Sequence, residues 1–136
     1  MSKTGIWIDH RNAVIVSERP EGEAIDTVWS NVEKHPERTG DSVLKGPYEA
    51  LQVPADDKRQ RALTQHLNAY YDAVIAKTVQ ASVVFIFGPG EAKEELKRRL
   101  EHKHLGSRVA GLESADKLTD RQITAKVREF FKIPAS

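Results

Sequence analysis

The N-terminal part of the chain is rich in β-branched and aromatic residues grouped in short runs. Two such runs, Gly5–Asp9 and Ala13–Ser17, are separated by three polar residues, which is the length of a hairpin connection. After the turn signal at Arg19–Gly22, the segment Ala24–Val32 carries apolar residues at strand-like spacing. The pattern therefore predicts three consecutive strands that pair as an antiparallel meander.

A long connection follows the third predicted strand. Residues 33–57 show no sustained hydrophobic period and contain several chain-breaking residues, namely Pro36, Gly40, Gly46, Pro47 and Pro54. A loop of this length is unusual inside a compact domain and is usually functional or mobile. We therefore treat residues 33–57 as a candidate functional loop.

The second half of the chain alternates helical and strand-like patterns. Lys58–Lys77 predicts an amphipathic helix with the stripe Leu63, Leu67, Tyr70 and Val74, flanked by His66 and Tyr71. Ser82–Phe87 is continuously apolar, as expected of a central strand covered on both faces.

A second helix should follow the strand that ends at Phe87. Gly88, Pro89 and Gly90 predict a tight structural turn, with Pro89 at the first helical position and Lys93 just beyond it. Ala92, Leu96 and Leu100 should form the inner face of this helix.

One more strand and helix complete the pattern. Arg108–Leu112 predicts a short strand, and Thr119 with Gln122 has the spacing of a capping box. The last helix should be buried through Ile123, Val127, Phe130 and Phe131. The order βββ-α-β-α-β-α predicts an α/β fold with an RNase-H-like mixed sheet and helices packed on it, in one domain spanning residues 1–136.

Composition limits the classes of function. With 136 residues the chain can bury one core, and the absence of cysteine favours a reducing compartment, the cytoplasm. The longest apolar run, residues 83–87, is far too short to cross a membrane. The net charge of +1 gives no bulk attraction to nucleic acid, so any RNA contact must come from local geometry.

Candidate catalytic and cofactor sites are weak. Asp9 lies where an RNase-H-like nuclease would have one metal ligand, but further carboxylates are poorly placed, so a role in capping the hairpin turn is preferred. The Gly88–Lys93 turn matches no phosphate-binding motif, and the three glutamates at the start of the helix, Glu91, Glu94 and Glu95, would repel phosphate. The five histidines lack zinc-site spacing. We therefore predict no metal, no nucleotide cofactor and no other cofactor.

Two stretches resemble the middle domain of archaeal and eukaryotic class-1 release factors and of Pelota. Val32–Ser42 falls where that family has a Lys-Lys-His-Gly-Arg-Gly-Gly-Gln-Ser-like loop, and Arg59–Val74 resembles the helix that follows it. Gly5–Asp9 and the Gly-Pro-Gly turn at residues 88–90 also resemble family motifs, so the similarity covers nearly the whole chain. The chain also resembles the small bacterial release-factor-like domains often labelled translational machinery proteins.

The resemblance implies a role in translation without peptidyl-tRNA hydrolysis. Thr39-Gly40-Asp41 stands where release factors have Gly-Gly-Gln, and Asp41 would bring negative charge to an ester that develops an oxyanion. Pelota-type relatives lack the tripeptide as well and work on ribosomes. The resemblance thus implies a module without enzymatic activity, with RNA or ribosome contacts through Lys34, His35, Arg38, Thr39, Gly40, Arg59 and His66.

Two alternative functions remain open beside this hypothesis. One is a metal-dependent nuclease that uses Asp9, for which Mg²⁺-dependent RNA cleavage would be diagnostic. The other is a protein–protein module that forms homo-oligomers through a sheet edge or an exposed helix.

Overall fold

The computed structural model describes residues 3–19, 22–30 and 54–132. These residues form five strands, three helices and one short 3-10 turn. The strands are β1 (Lys3–Ile8), β2 (Asn12–Arg19), β3 (Gly22–Trp29), β4 (Val83–Gly88) and β5 (Val109–Ser114). The helices are α1 (Pro54–Ala76), α2 (Ala92–His102) and α3 (Asp120–Phe131), with the 3-10 turn at Gly106–Arg108.

The five strands form one mixed sheet in the order β3-β2-β1-β4-β5. β1 pairs antiparallel with β2, and β2 pairs antiparallel with β3. β4 joins the other side of β1 in parallel, and β5 pairs in parallel with β4. This arrangement confirms the predicted α/β fold with an antiparallel meander extended by parallel strands.

Helices cover both faces of the sheet. On one face, Ile6, Ile8 and Ile86 pack with buried residues of α1 and α2. On the other face, Trp7 and Phe85 pack with Ile123 and Val127 of α3. Successive residues of β1 point to opposite faces, so a continuous apolar run is what a strand buried on both sides requires.

The third strand and the first helix begin earlier than the sequence pattern predicts. β3 spans Gly22–Trp29 rather than Ala24–Val32. α1 begins at Pro54 rather than Lys58, because proline suits the first helical turn, where its missing N–H has no partner to lose. The last residues of the predicted 33–57 loop are therefore helical, and residues 31–53 lie outside the described residues.

The position of Pro89 was also predicted wrongly. α2 begins at Ala92 with Glu91 at the N-cap, so Pro89 lies within the preceding turn. Gly88 and Gly90 both have positive φ, at 149° and 65°. Two such residues keep the backbone out of helical geometry until Glu91.

The predicted capping box of α3 is present. The Gln122 backbone N–H donates to Thr119 Oγ1 at 3.2 Å, and the Thr119 N–H donates to Gln122 Oε1 at 2.9 Å. Ile123 and Val127 are fully buried, whereas Phe130 and Phe131 are half-buried. Phe130 stacks on Phe85 with ring centroids 3.9 Å apart, which holds the end of α3 on the sheet.

Candidate functional site

The β1–β2 turn lies at one end of the sheet, beside Ser30, which directly follows β3. Asp9 Oδ1 accepts hydrogen bonds from the backbone N–H groups of Arg11 at 2.8 Å and Asn12 at 2.9 Å. The Asp9 N–H donates to the Asn12 carbonyl at 3.1 Å. The carboxylate therefore caps the turn, as the preferred sequence interpretation predicted.

Ser30 is held firmly against this turn. Its backbone N–H donates to the Arg11 carbonyl at 2.9 Å, and its hydroxyl donates to the His10 carbonyl at 2.5 Å. His66 Nε2 of α1 donates to the Ser30 carbonyl. All three polar groups of Ser30 are thus engaged at the residue that leads into the candidate loop.

A histidine, a glutamate and a tyrosine connect this turn to both neighbouring helices. Glu95 Oε1 of α2 is 3.0 Å from His10 Nε2 and accepts a hydrogen bond from the Tyr71 hydroxyl at 2.5 Å. The pKa of Tyr71 is raised, mainly by burial and to a smaller extent by the hydrogen bond to Glu95. Tyr71 was expected to flank the buried stripe of α1, but it is 2% exposed, because α2 packs over it.

Tyr70, the neighbour of Tyr71 on α1, contacts the same end of the sheet. Its hydroxyl donates to the Asp9 carbonyl at 2.9 Å, and its ring lies 5.3 Å from that of Tyr71. Burial, followed by the negative charge of Asp9, raises the pKa of Tyr70. Both tyrosines remain neutral hydrogen-bond donors at neutral pH, which makes them positioning groups.

A cleft of about 380 Å³ lies between α1 and α2 above Tyr71. Its walls carry amide, hydroxyl and basic side chains, namely Gln60, Thr64, Asn68, Arg98, Arg99 and His102, with Leu67, Tyr71 and Glu95 beside them. Arg99 binds Asp72 of α1 through two hydrogen bonds of 2.8 and 2.9 Å, which lower the pKa of Asp72. This bidentate pair joins the two helices along one side of the cleft.

The Gly88–Lys93 turn is fixed by close packing against Ile8 of β1 and by a hydrogen bond within the turn. A Cβ on Gly88 would lie 2.1 Å from the carbonyl oxygen of Ile8, so the backbones of β1 and β4 approach closely there. Lys93 is buried and its ammonium group donates to the Gly90 carbonyl. The lysine that could have attracted a phosphate is therefore directed into the turn itself.

The predicted contact residues fall into two sets. Lys34, His35, Arg38, Thr39 and Gly40 lie outside the described residues. Arg59 and His66 lie on α1, two helical turns apart, with Arg59 exposed and His66 half-buried. The network of His10, Glu95 and Tyr71 was not predicted, although two adjacent tyrosines at the edge of an apolar stripe were a signal for buried polar contacts.

No group of three or more His, Cys, Asp or Glu side chains is placed to hold a metal ion among the described residues. Within the same ranges, no helix combines the length and apolarity that a bilayer span requires.

Solved structures with a similar fold include two Pelota proteins and an archaeal translation termination factor. The Thermoplasma acidophilum Pelota protein matches with a TM-score of 0.56 and 19% identity, over 95% of this chain and 32% of that chain. The archaeal translation termination factor aRF1 matches with a TM-score of 0.56 and 13% identity, over 97% and 35%. Archaeoglobus fulgidus Pelota, at 12% identity and a TM-score of 0.51, covers 96% and 35%.

These similarities concern the fold. This chain spans about a third of the length of these three solved structures. No family model and no curated protein sequence matches it. The fold is therefore that of one part of Pelota and aRF1, in agreement with the resemblance found in the sequence.

Proposed function

We propose that this chain is a release-factor-like module without enzymatic activity that binds the ribosome or its RNA in the cytoplasm, during translation or its rescue. The observation that carries the proposal is the shared fold, which extends over 95–97% of this chain in Pelota and aRF1. Thr39-Gly40-Asp41 at the position of Gly-Gly-Gln supports binding without hydrolysis.

The proposed contact surface consists of the loop residues Lys34, His35, Arg38, Thr39 and Gly40 together with Arg59 and His66 of α1. Three hydrogen bonds anchor Ser30, four positions before Lys34, to the β1–β2 turn and to His66. A fixed exit point lowers the conformational entropy that a loop loses on binding. Lys34 and Arg38 supply positive charge for phosphate, which is the main source of affinity for RNA.

Co-sedimentation with ribosomes at low and raised salt tests the proposal. We expect the wild-type protein to comigrate with ribosomal particles at low salt and to dissociate as salt rises, because phosphate contacts weaken with ionic strength. Absence of the wild-type protein from ribosomal particles at every salt concentration would show that the proposed function is wrong.

Paired charge variants test the contact surface separately. The double variant Lys34→Ala, Arg38→Ala should reduce comigration severalfold, and His35→Ala should reduce it less. The matched control is Lys117→Ala, Arg121→Ala, which removes the same charge from exposed positions before and within α3. Equal losses in both double variants would mean that only net charge matters and that the loop assignment is incorrect.

A further inference from the structure

The outer edge of β3 has the features of a strand that pairs with another strand. In the described part of the chain, β3 pairs only with β2, through eight consecutive residues and without a bulge. β5, at the opposite edge, has a register shift against β4 between Val84 and Phe85. β3 also lacks the lysines and prolines that commonly protect edge strands from association.

Within the described residues, the helices cover one face of β3 only near Glu23. Ile25, Thr27 and Trp29 lie on the α3 side of the sheet, because their partners in β2 include Val14 and Val16, which pack there. α3 reaches β3 through Arg128, whose guanidinium binds the Glu23 carboxylate at 2.7 and 2.9 Å. Beyond this contact, Ile25 is 46% exposed and Trp29 is 64% exposed.

The charges of β3 favour a protein partner over a nucleic acid. Residues 22–29 contain Glu23 and Asp26 and no lysine or arginine. Arg128 neutralises Glu23, but the Asp26 carboxylate still repels phosphate groups, and RNA-binding strands combine aromatic residues with basic ones. An apolar, β-branched and aromatic strip is complementary to another strand of the same kind.

β3 is complementary to itself in an antiparallel register centred on Thr27. If a two-fold axis passes between the Thr27 residues of two copies, the numbers of the two residues that face each other add up to 54. Ile25 then faces the partner's Trp29, and Thr27 faces the partner's Thr27, which are favourable cross-strand pairs. Asp26 faces the partner's Val28, whereas a register centred on Asp26 would place two carboxylates opposite each other.

We propose that β3 pairs antiparallel with β3 of a second copy in the register centred on Thr27. The two five-stranded sheets then form one continuous sheet. The pairing uses backbone groups of the outer edge, and it buries Ile25 and Trp29 from both copies. It is independent of the ribosome-binding proposal, which concerns the loop and α1.

Cysteine crosslinking tests the register, because the chain contains no cysteine of its own. Directly opposed residues of paired strands have Cβ atoms about 4.5–5.5 Å apart, close to disulfide geometry. Thr27→Cys should therefore form a disulfide-linked dimer under mild oxidation at least about tenfold faster than Ile25→Cys or Val79→Cys. Val79 is 50% exposed and remote from β3, so it reports random collisions. Crosslinking of Thr27→Cys at the Val79→Cys rate would overturn the proposal, and equally fast self-linking of Ile25→Cys would overturn the register.

Molar mass in solution tests the association without oxidation. Light scattering should show a mass that rises from monomer to dimer with concentration in the wild-type protein. Ile25→Lys should stay monomeric with an unchanged far-UV circular dichroism spectrum, because its side chain is already exposed. A wild-type protein that stays monomeric throughout, or whose Trp29 fluorescence is quenched by single-stranded RNA without a change in protein mass, would overturn the proposal.

Discussion

Gly88 is the last residue of β4 and packs against Ile8, the last residue of β1, at the candidate site. Its φ of 149° belongs to a region that side chains rarely adopt, and a Cβ there would collide with the Ile8 backbone. Gly90, two residues later, also has positive φ, but a Cβ there would meet open space. The two glycines of the same turn are therefore required for different reasons.

Alanine substitution should separate these reasons. Gly88→Ala should lower the free energy of unfolding by about 3 kcal/mol or more, because backbone strain and a steric clash add together. Gly90→Ala should cost only about 1–2 kcal/mol, the strain of a left-handed residue. Urea denaturation of both variants measures the difference, and equal costs would show that the Ile8 contact is relaxed at little expense.

The two buried tyrosines predict a loss of stability at alkaline pH. Their folded-state pKa values are raised above the ordinary value of 10.0, chiefly by burial. Below pH 10 they are neutral in both states and their contribution is complete. Above it, the unfolded chain loses protons that the folded chain keeps, so the free energy of unfolding decreases by up to about 1.4 kcal/mol per pH unit for each tyrosine.

Phenylalanine variants identify the tyrosines responsible. Between about pH 9 and about pH 11, Tyr71→Phe should weaken the pH dependence of the unfolding midpoint, and Tyr70→Phe with Tyr71→Phe should weaken it further. The matched comparison is each variant at neutral pH, where the loss of one hydrogen bond costs about 1 kcal/mol. A double variant with the pH dependence of the wild type would assign the effect to other groups.

The contacts of some single residues could be predicted from the sequence and those of others could not, for a physical reason. Asp9 was assigned correctly to the turn because its partners lie two and three residues away. Glu95 and Tyr71 are 24 residues apart and His10 is 85 from Glu95, so only the packing of α1 and of the β1–β2 turn against α2 brings them together. Local chemistry can be derived from spacing, whereas contacts between elements depend on the completed fold.

At the scale of elements, α3 begins with both halves of a capping box. Thr119→Ala should lower the free energy of unfolding by about 1 kcal/mol, because the Gln122 N–H loses its acceptor. Thr119→Ser, which keeps the hydroxyl, should retain most of the stability. Thermal unfolding compares the two variants, and an equal loss in both would show that the methyl group, and not the hydrogen bond, stabilises the helix start.

Element types followed from the sequence more reliably than element ends. All eight helices and strands of the described residues were predicted, because each has a hydrophobic period set by its own geometry. The start of α1 was missed because its first residues carry no apolar stripe. The start of α2 was missed because Pro89 suits a helix start but stands between two glycines with positive φ.

At the scale of the whole molecule, the sheet order predicts a gradient of stability. β1 and β4 each have a strand on both sides and a helix layer on each face, whereas β3 and β5 are edge strands. Amide hydrogen exchange should be slower in β1 and β4 than in β5 by at least about two orders of magnitude. Similar protection in β1 and β5 would contradict this gradient.

The central place of β1 also has a consequence for synthesis. β1 leaves the ribosome before its parallel partner β4, whose pairing with β1 begins where Lys3 meets Val83, 80 positions later. At typical translation rates of about 5–20 residues per second, β1 waits roughly 4–16 s for β4. During that interval the nascent β1–β2–β3 meander exposes the unpaired backbone groups and the apolar side chains of β1, which makes it a natural client for a chaperone at the tunnel exit.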